Sequence, residues 1–403
     1  MNLKINQAVI FCGGFGTRIK KYTHGTPKPL FKINNKSFLK YLIENITRFG
    51  LEEIFLLCHF KTKIFRKEFK NYKYRNCKIH IIHEKEPLGS GGSLKNIKRK
   101  LKKYFYIFNG DTFFDFDYLD LKENLNNKNI VTLATVINPN VKHGNLLVKK
   151  NKVIGFGIYK NKNINTGVGI VNKKIFKYLD DLNNNFISLE KELYPILCTR
   201  NEIGSKKYNL RNYNFIDIGT PKDFKKIKKF LKKVLLKPAV ILDRDGIVNI
   251  DKGYTYKIKG FKWRKNIINL IKKLNRKNYY VFIATNQSGI GRGYYKETDV
   301  KNLHKWMNHY LNNKCAHIDE FFYAPYYENS KFKKYRNNRN LRKPNIGMYQ
   351  KIISKWHIDK KKSFVIGDTE SDIKFAKNAG LNGILIKPKD DVYKVSLKKL
   401  KTV

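Results

Sequence analysis

VILDRDGIVN, residues 240–249, is the stretch on which the reading of this chain turns. An apolar run stops at Asp243 and Asp245, and a glycine follows. Such residues end a strand in an Asp-Gly turn. They also suit a strand whose carboxyl end presents a carboxylate nucleophile and a metal. The surrounding chain is strongly basic, with 84 Lys and Arg against 32 Asp and Glu. A local concentration of acid therefore needs a reason, and the rest of the sequence has to supply it.

Outward from this stretch, short apolar runs alternate with helical patterns. AVILD is followed by NIINLIKKLN, YYVFIATN, a polar region, SFVIGD and GILIK. The same alternation occupies the first half: AVIFC, SFLKYLIENITRF, IFLLCH, IHII, YFYIFNGD and IVTLATVI. Within the first helical run Phe38, Leu39, Leu42, Ile43, Ile46 and Phe49 recur at three-to-four spacing and form one apolar face. Strands alternating with helices predict α/β units, each a mostly parallel sheet flanked by helices. A length of 403 residues suits two cores. The basic helix PKDFKKIKKFLKKVLLKP closes on Pro238, which sets the boundary at two domains, 1–232 and 233–403.

Hydrophobic residues make up 41% and aromatics 14%, enough for sizeable cores. No apolar run reaches the roughly 20 residues that span a bilayer. The start, MNLKINQAVIFCGG, lacks the pattern of a signal peptide, so a cytoplasmic location is expected. The five cysteines (12, 58, 77, 198 and 315) are scattered and form no CxxC pair, so they read as reduced thiols. The net charge of +52 admits a polyanion partner. The lysines recur on nearly every expected surface without forming one stripe, which favours solvated faces over a nucleic-acid site. No membrane insertion is expected, and the oligomeric state is not legible.

The first strand runs into FCGGFGTRIKKYTHGTPKPL. Gly13, Gly14 and Gly16 let backbone amides approach phosphate oxygens without interference from Cβ. Arg18 and Lys28 can neutralise a triphosphate. GGxGTR followed by PKP resembles the sugar-1-phosphate nucleotidyltransferases. EKEPLGSGGSL (84–94), NGD (109–111) and FIDIGTP (215–221) extend the resemblance over residues 6–225. It implies a nucleotidyltransferase fold that binds nucleotide through Gly13, Gly14, Gly16, Thr17, Glu86, Pro87 and Gly89. It implies Mg²⁺ on Asp111 and Asp217, and sugar-phosphate contacts from Gly144, Asn165 and Lys160. HEKEPLG and NGDTFFDFD are most similar to the D-glycero-D-manno-heptose 1-phosphate guanylyltransferases. Two places depart from that pattern: Lys142-His143-Gly144, and Phe156-Gly157-Ile158-Tyr159-Lys160, where an acidic pair and a lysine are usual.

In the second half, four stretches stand in order: Asp243 and Asp245, Thr285 after YYVFIA, Lys343 in LRKP, and Asp368 after SFVIG with Asp372 four residues on. Together they resemble the haloacid dehalogenase phosphatases over 238–390. The resemblance implies an HAD-like fold with minimal cap. Asp243 would attack the phosphorus, and Asp245 would protonate the leaving alkoxide and later activate water. Thr285 and Lys343 would hold phosphate oxygens. Mg²⁺ would sit on Asp243, the backbone carbonyl of Asp245, and Asp368.

TNQSGIGRG (285–293) and VNIDKGYTYK (248–257) are similar to heptose-1,7-bisphosphate phosphatases, with Asn286, Arg292 and Arg342 near substrate. TNQSGIGRG also resembles the histidinol-phosphate and polynucleotide 3′-phosphatases. Ile247 replaces a common threonine. The zinc loop of such enzymes is also altered: Ala324, Tyr326, Arg339 and Leu341 occupy the ligand places, so no zinc is expected. Phe321, Phe322, Tyr323, Tyr326 and Tyr327 offer apolar area to pack the loop instead. His357 is expected in a helical run.

The two resemblances together imply consecutive reactions. A 7-phosphatase acting on D-glycero-D-manno-heptose 1,7-bisphosphate makes the heptose 1-phosphate that a guanylyltransferase consumes with GTP. The product would be an NDP-heptose for cell-envelope glycans. The alternatives are an HAD phosphatase carrying a degenerate nucleotide-binding domain, and a nucleic-acid end-processing phosphatase.

Overall fold

The computed structural model describes residues 3–14, 16, 19–138 and 144–400. The chain divides into two compact units, residues 3–231 and 232–403. No helix among the described residues is long and apolar enough to cross a membrane.

The first unit is built on a nine-stranded sheet. Its parallel part runs Lys78–His83, Glu53–Cys58, Gln7–Phe11, Tyr104–Asn109. Ala8, Val9 and Ile10, like Ile54 to Cys58, are buried without alternation. That is the mark of strands covered on both faces. Helix Phe38–Ile46 buries Phe38, Leu39, Leu42, Ile43 and Ile46, and Phe49 is buried in the turn that follows. Gly50, at φ +81°, takes the left-handed conformation that stops the chain there.

Beyond Tyr104–Asn109 the sheet continues through Asn163–Asn172, Val131–Ile137, Ile203–Asn209, Lys152–Tyr159 and Gly144–Lys149. Asn163–Asn172 runs antiparallel to both neighbours, and Lys152–Tyr159 likewise. This antiparallel extension is an addition to the parallel sheet read from the sequence. A two-stranded ladder sets Asn214–Asp217 against Thr112–Asp115, with Asp217 opposite Thr112.

The second unit has five parallel strands in the order Glu320–Ala324, Tyr280–Asn286, Ala239–Leu242, Phe364–Gly367, Asn382–Leu385. Val240 and Leu242 join one core with helix Ile267–Arg276. Ala239 and Ile241 join another with helices Gly347–Ile353 and Glu370–Ala379. The period of two thus divides the strand between two covered faces.

In both units the first strand has its successors on opposite sides. That reversal of strand order opens a crevice at the strands' carboxyl ends, where ligands bind in open α/β sheets. The loop after Phe11 and the pair Asp243 and Asp368 lie at those two places.

Candidate active sites

In the first unit the loop after Phe11 stays on the sheet through Cys12 N, which donates to Leu57 O at 2.8 Å. Gly16 adopts φ +66°, and a Cβ there would lie 3.0 Å from Lys28 Cγ. Lys28 Nζ stands 3.3 Å from Asp111 Oδ2. Ile218 N donates to Asp111 O at 2.9 Å, so the short ladder brings Asp217 beside Asp111. Asp217 Oδ1 accepts from Gly219 N at 2.6 Å. Gly16, Lys28, Asp111 and Asp217 therefore meet at one crevice. Thr17, Arg18, Lys142 and His143 lie outside the described residues.

Gly14 has open space where a Cβ would be, and Gly13 faces His59 and Glu84, with a Cβ there 3.7 Å from Glu84 Oε2. Glu84 is a residue that sequence reasoning passed over. It is buried, and burial pushes its carboxyl up, opposed by the Ser93 hydroxyl and His59. Its Oε1 is buried without a hydrogen-bond partner. Its place in EKEPLG was the available signal. Glu86 and Pro87 are exposed. Gly89, at φ +67°, opens helix Gly89–Asn96, and a Cβ there would lie 2.4 Å from Ile187 O.

A cavity of about 140 Å³ lies beside this crevice, lined among others by Phe11, Asn109, Asn165, Gly167, Glu190 and Tyr194. The strand bulges between Asn165 and Gly169, and Asn165 Nδ2 donates to Glu190 Oε1 at 2.6 Å. Glu190 was also missed, because nothing in its local sequence marks it. Gly144 pairs with Tyr159, and Lys160 is exposed. Neither Gly144 nor Lys160 lines the cavity.

In the second unit the strand ends converge on Asp243. Lys343 Nζ lies 2.7 Å from Asp243 Oδ1 and 2.6 Å from Asp372 Oδ1. Lys343 and Asp372 are buried. Burial pushes Asp243 up to about 7, with Asp372 adding and Lys343 opposing. Burial also raises Asp368, again with help from Asp372. Burial alone would pull the Lys343 ammonium down, but Asp243 and Asp372 outweigh it and hold the group above its ordinary value. Asp243, Asp368 and Asp372 each offer an oxygen within 4.8 Å of the others. Asp368 Oδ1 is buried without a hydrogen-bond partner. Crowded, buried carboxylates with an unused oxygen fit a hard divalent cation. Gly246 permits the crowding: its φ is +86°, and a Cβ there would lie 1.9 Å from Asp368 Oδ2.

The carboxylate of Asp245 points elsewhere, into a set of donors. Arg244 Nη2 reaches its two oxygens at 2.8 and 3.1 Å, and Asn249 Nδ2 and Gln287 Nε2 each donate at 2.9 Å. Gln287 Nε2 also donates to Thr285 Oγ1 at 2.9 Å, and Tyr295 OH donates to Gln287 Oε1 at 2.8 Å. Arg244 is fully buried, and its Nη2 also donates to Thr255 O at 2.6 Å. Arg244 and Gln287 both stood inside the quoted motifs and were not singled out. Asn286 spends its amide on the backbone of Lys343, accepting from N at 3.0 Å and donating to O at 3.3 Å. Arg292 is exposed, with its guanidinium 3.9 Å over the Tyr327 ring. Arg342 is half-buried beside Lys343. His357 lies between helix Gly347–Ile353 and the turn Lys360–Lys362, outside any helix, contrary to the expectation of a helical run.

A family model described as nucleotidyl transferase matches residues 7–234, and one described as HAD-hydrolase-like matches residues 340–392. The second unit is similar to a D-glycero-beta-D-manno-heptose-1,7-bisphosphate 7-phosphatase of Rhodopseudomonas palustris, 40% identical over 39% of this chain and 88% of the relative. The chain belongs to the nucleotidyl transferase family in its first unit and to the HAD-like phosphatases in its second. The nucleotidyl transferase unit is similar to a D-glycero-alpha-D-manno-heptose 1-phosphate guanylyltransferase of Campylobacter jejuni, 34% identical over 54% of this chain and 96% of the relative. The phosphatase unit is also 38% identical to a D-glycero-alpha-D-manno-heptose-1,7-bisphosphate 7-phosphatase of Campylobacter jejuni, over 37% of this chain and 81% of the relative.

Proposed function

We propose that the chain is a bifunctional enzyme of NDP-heptose formation. The phosphatase unit removes the 7-phosphate of D-glycero-D-manno-heptose 1,7-bisphosphate, and the nucleotidyl transferase unit joins GMP from GTP to the heptose 1-phosphate that results. One observation carries this reading. The two units separately match enzymes whose names make the product of one the substrate of the other. A chain that feeds its own product forward must use one anomer throughout. The transferase relative is named for the alpha form, so the alpha-bisphosphate is the expected substrate.

In the phosphatase unit Asp243 is the nucleophile and forms an aspartyl-phosphate. Thr285 and Lys343 hold the non-bridging oxygens, and Arg292 and Arg342 contact the substrate beyond the phosphate. Asp245 protonates the leaving alkoxide and then takes a proton from the attacking water. Its present partners are all donors, so they orient it as a carboxylate; acting as an acid requires it to take up a proton and give up one of them. Asp243, Asp368 and the backbone carbonyl of Asp245 would hold Mg²⁺, whose charge lets an anionic nucleophile approach an anionic phosphate.

In the transferase unit the amides at Gly13, Gly14 and Gly16, with Thr17, Arg18 and Lys28, bind the triphosphate. Asp111 and Asp217 would hold Mg²⁺. Glu86, Pro87 and Gly89 shape the base-binding loop. The cavity at Asn165 accommodates the sugar; Gly144 and Lys160, which lie outside its lining, are assigned to the sugar phosphate by the family resemblance. A sugar-phosphate oxygen attacks the α-phosphorus and pyrophosphate leaves. The base is assigned as guanine from the transferase relative, which is named a guanylyltransferase.

Phosphorus NMR of the intact protein tests both reactions. The mixture holds the 1,7-bisphosphate, Mg²⁺ and equal GTP, ATP, CTP and UTP. Orthophosphate should appear first, then pyrophosphate and a single GDP-sugar. Accumulation of heptose 1-phosphate with no nucleotide consumed would instead support a degenerate first unit.

A further inference from the structure

The segment 325–342 has both ends fastened to the phosphatase site. Gln287 N donates to Ala324 O at 2.8 Å, and the Asn286 amide holds Lys343. Between these ends lie only the short turns Lys333–Arg336 and Arg339–Leu341. A loop this long does not hold one shape without an anchor. The resemblance to zinc-loop phosphatases implies a metal here, but the residues do not fit one. Ala324, Tyr326, Arg339 and Leu341 offer neither thiolate, imidazole nor carboxylate. Among the described residues the metal-capable grouping is Asp243, Asp368 and Asp372, which belongs to the phosphate site. Cys315 and His317 precede the strand Glu320–Ala324 and are buried there.

Another anchor occupies the place. Glu297 opens helix Glu297–Asn313, where the amides of the first turn favour negative charge. Tyr323 OH donates to Glu297 Oε2 at 2.6 Å, and Tyr335 OH donates to Oε1 at 3.1 Å. One carboxylate therefore ties the strand that enters the segment to the middle of the segment itself. The Tyr335 ring is buried with Ile290, Tyr295 and Val300. Ser330 Oγ adds a bond to Gly291 O at 2.6 Å. The two phenols hold the Glu297 carboxyl below its ordinary value, so it stays ionised at neutral pH.

We propose that Glu297 is a positioning residue of the phosphatase site, clamping segment 325–342 through Tyr323 and Tyr335 without a structural metal. What the clamp positions is the substrate side of the site. Tyr327, within the segment, carries the Arg292 guanidinium on its ring, and Arg342 ends the segment. Lys343 has its own ties to Asn286, Asp243 and Asp372, so the nucleophile keeps its partner when the clamp is cut. Loss of the clamp therefore weakens substrate binding more than turnover.

The inference rests on the phosphatase reading, and the experiment separates the two. Wild type, Glu297→Ala, Glu297→Gln and Tyr335→Phe are prepared as full chains. Each is measured for turnover of the bisphosphate, for amide hydrogen exchange across 325–342, and for bound zinc after growth with zinc supplied. Glu297→Ala should raise KM about tenfold with kcat within about twofold, the pattern of lost uniform binding. It should also speed exchange in 325–342 while sparing strand Tyr280–Asn286. Glu297→Gln, which keeps one acceptor oxygen, should fall between it and wild type. Tyr335→Phe keeps the ring and reads the same effect if Glu297→Ala does not fold. Wild-type exchange rates in both the Ala and Phe variants would overturn the clamp. So would one zinc per chain whose removal speeds exchange of 325–342. Faster exchange with unchanged KM would leave Glu297 a packing residue and overturn the positioning role. A wild type inert toward the bisphosphate would refute the phosphatase reading and with it the positioning role, whereas the exchange measurement would still decide the clamp.

Discussion

Replacing Lys343 with methionine keeps most of the side-chain volume and removes the charge between two buried carboxylates. The ammonium lies 2.7 Å from Asp243 and 2.6 Å from Asp372. Its side chain is 4% exposed and that of Asp372 only 1%, so water cannot take over its role. Removing one partner of such a buried ion pair costs about 3–5 kcal/mol. For a unit of 172 residues (232 to 403) each kcal/mol shifts the melting temperature by roughly 2–4 °C. Lys343→Met should therefore melt about 6–20 °C below wild type when divalent cations are chelated. The assay needs no separation of the units. The three tryptophans, Trp263, Trp306 and Trp356, all lie in the phosphatase unit, so their fluorescence reports on that unit. Adding Asp372→Asn removes one of the two stranded charges, keeps an acceptor for Thr369, and should recover about half of the loss. Phosphate turnover should fall about 100- to 1000-fold, as when a donor to developing charge is deleted. A Lys343→Met protein that melts within about 2 °C of wild type would refute the argument. So would a double variant that recovers nothing.

Asp243→Asn should abolish phosphate release, and its tryptophan-detected unfolding should remain cooperative; near-normal release from the folded variant would remove Asp243 as nucleophile. Asp111→Ala should stop pyrophosphate formation and leave phosphate release from the bisphosphate at the wild-type rate, and a joint loss without misfolding would contradict two independent sites. His304 is buried against Phe321, and burial, then the Arg244 charge, holds its pKa well below the ordinary 6.5. The unfolded chain therefore binds the proton first, so the phosphatase unit should lose stability as pH falls below about 6.5. His304→Phe should flatten that slope, and denaturant titrations at pH 7.5 and 5.5 that give the same loss for both proteins would contradict it.

Much of the fold was legible because its strands are buried on both faces. Runs such as AVIF and YVFIAT are short, rich in β-branched and aromatic residues, and followed by glycine-containing loops, which favours doubly covered strands over helix. The places of Asp243, Thr285 and Asp368 were legible because they sit at or near the ends of strands, whereas Lys343 lies in the loop before helix Gly347–Ile353 and was found only through its RKP stretch. The antiparallel extension of the first sheet was less so. Its order depends on which distant strands pair, and its bulge at Asn165 to Gly169 has only Gly167 as a local sign. Glu190 earns a place in the cavity through Asn165, 25 residues away, and Glu297 holds Tyr335 across 38 residues. Single glutamates in a chain of many charges carry no mark of such contacts. Arg244 was hidden differently: an arginine between two aspartates suggests a surface, yet its guanidinium is fully buried and orients Asp245.

The ladder that joins Thr112–Asp115 to Asn214–Asp217 also sets a timetable for synthesis. Asp111 and Asp217 are 106 residues apart in the sequence. At about 5–20 residues per second a ribosome needs roughly 5–20 s to travel between them. During that interval Phe113, Phe114 and Phe116, all buried in the finished unit, wait for the partner strand that helps cover them. On the proposed reading the acidic pair thus forms late, when residues 214–217 emerge and bring Asp217 beside Asp111. A pause in translation within that span would lengthen the exposure of three phenylalanines without changing a single residue of the product.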